Sequence, residues 1–162
     1  MRRRVSTGLA AVFGAVSIVL AIIGGSLLLS NRSADADVNR RNEALQAARQ
    51  VATNMVSIGY STATRDVARV TSGATGQFKD QWASMSKQFV DAATKAQSTS
   101  TGTVLSSGVT SMDNDSGEVI VSVTSITTSP QVPNGRPGYF RFVFDVTKTD
   151  GHWLVSKLAI AQ

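Results

Sequence analysis

The 162-residue sequence has no cysteine, one histidine and three prolines. Without cysteine there can be no disulfide scaffold, no thiolate-ligated zinc, no thiol nucleophile and no lipid-modified N-terminal Cys. A single histidine, His152, excludes any two-His metal site. Residues 1–32 hold no acid, and Val5 to Ser30 hold no charge of either sign. The net charge of +5 comes mainly from the arginines at 2, 3, 4 and 32, since the other 12 basic residues nearly balance the 11 acidic ones. Nucleic acid is therefore excluded as a partner, because phosphate neutralisation needs clustered charge on the folded domain.

What is present first is an apolar run. Leu9 to Leu29 is almost wholly apolar or small, and about 20 such residues span a bilayer core as a helix. Three arginines before it against Arg32 after it predict a cytoplasmic N-terminus and an exported C-terminal domain. Ala34-Asp35-Ala36 offers the A-x-A pattern of a cleaved signal, but the run exceeds the about 7–15 residues of a signal h-region. An uncleaved anchor is the expectation. Residues 1–4 then form a cytoplasmic stub, 5–30 a transmembrane helix, 31–37 a juxtamembrane linker and 38–162 an exported domain. Ala10, Gly14, Ser17, Ala21 and Gly24 recur at spacings of 4, 3, 4 and 3, a seam of small side chains that lets helices approach closely in lipid.

After the linker, Ala44, Ala47, Ala48, Val51, Met55 and Ile58 fall at helical spacing, and Gly59 ends the segment. Thr64-Arg65-Asp66 opens a shorter helix, and Phe78, Trp82, Met85, Phe89 and Ala93 describe a third. Ser98 to Gly102 closes the helical half. The period then changes to two: Val119, Val121 and Val123 alternate, as do Phe140, Phe142, Phe144 and Val146. Strands are expected over 103–112, over 118–128, around 140–146 and over 154–160, with the prolines at 130, 133 and 137 marking a longer loop. Asp150-Gly151 signals a hairpin. A two-residue turn faces Phe144 toward Lys157, whereas a three-residue turn with a bulge faces Phe144 toward Leu158 and Asp145 toward Lys157; the second satisfies more partners and is the one expected. Trp153, after that turn, is expected to be buried. The fold class is α+β: a transmembrane helix, then three helices on a curved antiparallel sheet of about four strands.

The Thr-Ser-Gly-Ala-Thr-Gly-Gln-Phe stretch at 71–78, the Asp-Gly-His-Trp-Leu-Val ending at 150–155 and the Arg-flanked anchor resemble the actinobacterial Mce-associated membrane proteins, Mce standing for "mammalian cell entry". The resemblance covers roughly residues 5–160. It implies a cone-shaped domain of the nuclear-transport-factor-like kind, outside the plasma membrane. It further implies a non-enzymatic accessory subunit of a lipid-importing Mce complex, with the permease, the Mce proteins and membrane lipids as partners. No catalytic residue, cofactor or metal is expected. His152 reads as a solvent-facing turn residue, Asp145 as a cross-strand ion-pair member, and Tyr60 and Asp66 as a conceivable acid–base pair at a cavity mouth. An alternative function is a lipid-binding module, with Phe78, Trp82, Phe89, Phe142, Phe144 and Trp153 either lining an apolar pocket or filling the core. A cone-fold enzyme using Tyr60 or Asp66 is the third reading.

Overall fold

The computed structural model describes residues 35–160, of which residues 40–160 belong to one compact unit. Helix α1 is described over 35–56. It is followed by α2 (Ala63–Ser72), α3 (Gly76–Ala96), β1 (Thr99–Met112), β2 (Ser116–Ser129), β3 (Val132–Thr149) and β4 (His152–Ile160). The strands form one antiparallel sheet in the order β1-β2-β3-β4. The expected α+β architecture, three helices and four antiparallel strands, is the one observed. Among the described residues no helix is long and apolar enough to cross a membrane. The apolar run at 5–30 and its seam of small residues lie outside the described residues.

One face of the sheet makes the core. Alternation turns Val119, Val121 and Val123 of β2, Phe142, Phe144 and Val146 of β3, and Trp153 and Val155 of β4 inward. They are buried with the small face of α1 (Ala44, Ala48, Ala52), with Val67 and Val70 of α2, and with Phe78 and Trp82 of α3. Trp153 is thus buried, as its place after the turn predicts.

The helix connections are stitched to the sheet. The Tyr60 N–H donates to the Ser98 carbonyl at 2.9 Å and the Ser100 N–H to the Ile58 carbonyl at 3.0 Å, tying the α1–α2 connection to the start of β1. On the other side, the Val155 N–H donates to the Gly73 carbonyl at 2.9 Å. The Thr75 N–H donates to the Val155 carbonyl at 2.8 Å, tying the α2–α3 connection to β4.

Three local expectations change. β1 starts at Thr99, so Ser98 to Gly102 is largely strand and not a closing loop; its serines and threonines carry no apolar alternation to announce it. The proline-rich connection is a tight turn at residues 130–131, followed by a strand that takes in Pro133 and Pro137. β4 pairs with β3 only from Phe142 onward, and an edge strand can carry prolines whose nitrogens face outward. The last hairpin has Phe144 opposite Leu158 and Asp145 opposite Lys157, the register that satisfies more partners. The shift comes from a bulge at Ser156 and not from a longer turn: Asp150 and Gly151, at φ 51° and 82°, make a two-residue turn between Thr149 and His152. The Ser156 hydroxyl donates to the Asp145 carbonyl at 3.1 Å and holds the bulge in place.

Gly102 is where α1 comes closest to the sheet. A Cβ there would collide with the Val56 side chain and stand 3.2 Å from the Ser57 hydroxyl. Gly102→Val should therefore cost about 1–3 kcal/mol by overpacking. Gly108→Val, on the same strand with nothing within 4 Å of a Cβ, should be neutral or favourable in a urea-unfolding comparison.

Candidate functional site

The sheet's inner face extends beyond the part the helices fill. Where α1 ends and α3 runs out over the sheet, a groove of about 510 Å³ remains open. Two aromatic pairs stand in it. On α3, seven residues apart and so on one helix face, Trp82 and Phe89 stack with centroids 5.0 Å apart. On β3, two residues apart, Phe140 and Phe142 stack at 5.9 Å with rings 9° from parallel. Each pair begins with a buried ring (Trp82, Phe142) and ends with a half-exposed one, Phe89 at 41% and Phe140 at 42%. The Trp82 indole is fixed by its N–H, which donates to the Val67 carbonyl at 3.2 Å. Ala92, Ala93 and Ala96 follow Phe89 along α3, and their short side chains leave the space that makes the groove. Met55 and Val56 at the end of α1 and Ile58 just after it close the groove, and its polar lining is hydroxyl only: Ser98, Ser100, Ser125 and Thr127.

The six aromatics singled out in the sequence divide three ways. Trp82, Phe89 and Phe142 line the groove. Phe78 and Phe144 are fully buried, with ring centroids 6.4 Å apart, and belong to the core. Trp153 is buried at another part of the core, beside His152 and Glu43, with the Lys148 ammonium 5.9 Å above its ring. Phe140, Met55 and Ile58 complete the groove. Phe140 could have been found by its alternation with Phe142; the alanines of α3 carry no such signal.

Asp66 does not form an acid–base pair with Tyr60. One carboxylate oxygen accepts from the Gly59 N–H at 3.0 Å and from the Thr62 hydroxyl at 2.6 Å. The other oxygen meets the Arg69 guanidinium at 2.9 Å. Burial pushes the Asp66 pKa upward, but the Gly59 and Thr62 hydrogen bonds and the charges of Arg69 and Arg65 outweigh it. The net result is a value below the ordinary carboxylate range, so the group stays ionised near neutrality. It fastens the α1–α2 connection to the first turns of α2. Tyr60 is half-exposed in the same connection, and no hydrogen bond joins its hydroxyl to Asp66 among the described residues. His152 is exposed at the hairpin, and Asp145 pairs with Lys157 at 3.8 Å. Among the described residues no three His, Asp or Glu side chains gather as a metal site.

Residues 6–161 match the family model described as "Uncharacterized protein Rv1363c/MT1408-like". Two relatives come from Mycobacterium tuberculosis H37Rv. Rv1363c is 29% identical over 150 residues, 91% of this chain and 58% of that protein. Rv1362c is 29% identical over 122 residues, 75% of this chain and 56% of that protein. The chain thus spans a little over half the length of the curated relatives it matches. Among solved structures, the fold is similar to the periplasmic domain of DotI (TM-score 0.61, 12% identity, 72% of this chain and 91% of that one). It is also similar to a periplasmic fragment of TraM (0.61, 9%, 75% and 96%). A third likeness is to CagV, a VirB8 homolog of the type IV secretion system of Helicobacter pylori strain 26695 (0.56, 8%, 73% and 95%). At these identities the likeness is one of fold alone.

Proposed function

We propose that this chain, which belongs to the Rv1363c/MT1408-like family, is a membrane-tethered accessory subunit on the outer side of the plasma membrane. It would be non-enzymatic and would assemble with and stabilise an Mce-type lipid import complex. The observation that carries this reading is the use made of Asp66, the one buried carboxylate among the described residues. Asp66 is committed on both oxygens to holding a helix connection, whereas the conspicuous open feature of the domain is an apolar groove suited to binding. Use of the same fold as a periplasmic domain in DotI and TraM supports an exported placement. So does the distribution of arginines about the apolar run at 5–30.

The test is co-purification in mild detergent. In lipid there is little hydrophobic drive for helices to associate, so close packing must come from shape. Gly14→Leu and Ala21→Leu add bulk to the small-residue seam, whereas Val19→Leu adds it away from the seam. The expected result is that permease and Mce proteins co-purify with the natural chain and with Val19→Leu but are lost with the two seam variants. Equal recovery in all four would place assembly elsewhere, and absence of Mce-type subunits from every preparation would overturn the reading.

A second reading, a lipid-binding module, is favoured by the groove volume. At about 510 Å³ it lies within the about 300–1,000 Å³ typical of ligand sites. Both readings can hold in one protein.

A further inference from the structure

The floor of the groove is graded in polarity along the strands. Residues paired across antiparallel strands share a face, as do residues two apart on one strand. From core to rim, the inner-face pairs of β2 and β3 run Val121–Phe142, Val123–Phe140, Ser125–Gly138 and Thr127–Arg136. The series passes from aliphatic and aromatic, through hydroxyl, to a guanidinium. No charged residue lines the groove itself, so Arg136 is the first formal charge along its floor. Arg136 is exposed and makes no ion pair among the described residues.

Several carbonyls at the ends of α1 and α3 already have donors of their own. The Ser100 hydroxyl donates to the Val56 carbonyl at 2.7 Å, closing the last carbonyl of α1. The N–H groups of Gln97 and Ser98 close the Thr94 and Ala93 carbonyls of α3 at 3.2 and 3.0 Å. An apolar slot that ends at an unpaired cation is complementary to an amphiphile with a chain inside and an anion at the rim.

We propose that the groove binds one long-chain fatty acid, its tail between the Trp82–Phe89 and Phe140–Phe142 pairs and its carboxylate at Arg136. This rests on the second reading above and names the ligand class. At about 510 Å³ the groove is of a size for one long acyl chain. The two tails of a diacyl phospholipid exceed it. Guanidinium and carboxylate make a charge-assisted pair that an ester cannot make.

The experiment uses the full chain in phosphatidylcholine nanodiscs, with palmitic acid carrying a photoactivatable diazirine near the tail end, and with its methyl ester. Cross-linked peptides are mapped by mass spectrometry. Labelling by the acid is expected on residues 82–93 and 140–142. Ala93→Trp fills the slot and should abolish that labelling while the melting temperature holds. Ala96→Trp, at the exposed mouth, serves the same purpose if Ala93→Trp does not fold. Arg136→Gln should lower labelling by the acid about tenfold, the weight of one charge-assisted hydrogen bond, and leave the ester unchanged. Equal labelling of the natural chain by acid and ester would overturn the fatty-acid assignment and leave the apolar-ligand reading standing. A diacyl phospholipid probe that labels the groove more strongly than the acid would also overturn it. Absence of groove labelling by every probe would remove both readings.

Discussion

Phe144→Ala should lower the stability of the domain by about 3–5 kcal/mol, the usual cost of emptying a large aromatic from a well-packed core. Domains of this kind are stable by only about 5–15 kcal/mol, so the variant should sit close to unfolding at ambient temperature. The ring is fully buried on the central strand β3, between Val119 on β2 and Leu158 on β4. Its centroid lies 6.4 Å from that of Phe78 and 5.6 Å from that of Phe142. Helices and sheet therefore meet at this side chain, and no neighbour can move into the space without leaving its own place. Phe140→Ala, on the same face four residues earlier, removes a half-exposed ring at the groove and should cost a fraction of that amount. Urea unfolding of the detergent-solubilised chain checks both. A lowered midpoint with an unchanged slope assigns the loss to stability, and equal midpoints for the two variants would show that the core is not centred on Phe144.

The second large effect belongs to Asp66. Asp66→Ala removes the acceptor for the Gly59 N–H and the Thr62 hydroxyl and the partner of Arg69. Hydrogen bonds to a charged group make its removal cost on the order of 2–3 kcal/mol. Acid should act in the same direction. The folded-state pKa lies below that of the unfolded chain, so the carboxylate's contribution is fully present above the ordinary aspartate value. It is lost as the pH falls through the lower, folded-state value. Asp66→Asn has no proton to take up there, and its stability should vary less with pH below about 4 than that of the natural chain. Parallel acid-unfolding curves for the two proteins would mean that other carboxylates carry the acid sensitivity.

Much of the fold can be read from side-chain periods. Ala44, Ala48 and Val51 mark the face of α1, and the Val119 and Phe140 series mark the inner rows of β2 and β3, because burial on one face imposes the pattern directly. The first turn of β1 escapes, since Thr99 to Thr103 pairs through its backbone and carries no apolar alternation. The groove escapes for a different reason: it is a place where side chains are short, at Ala92, Ala93 and Ala96, and a missing atom leaves no period. Asp66 looks in sequence like a first-turn helix charge. Its fastening role depends on Gly59 being folded back over it, which only tertiary structure supplies.

The stitching of β4 to the α2–α3 connection also bears on the order of assembly. β4 comes last of the described elements, yet Val155 is bonded through both its N–H and its carbonyl to residues 73–75, far earlier in the chain. A contact of that sequence separation forms late, because the loop it closes must first lose its freedom. Until β4 arrives, Trp153 and Val155 are missing from the core, and the α2–α3 connection lacks its two hydrogen bonds to the sheet. A domain carried across a membrane with its first helix leading would thus stay loose enough to thread through a translocation channel until its last strand had passed. Closure by the last strand would then make the passage hard to reverse.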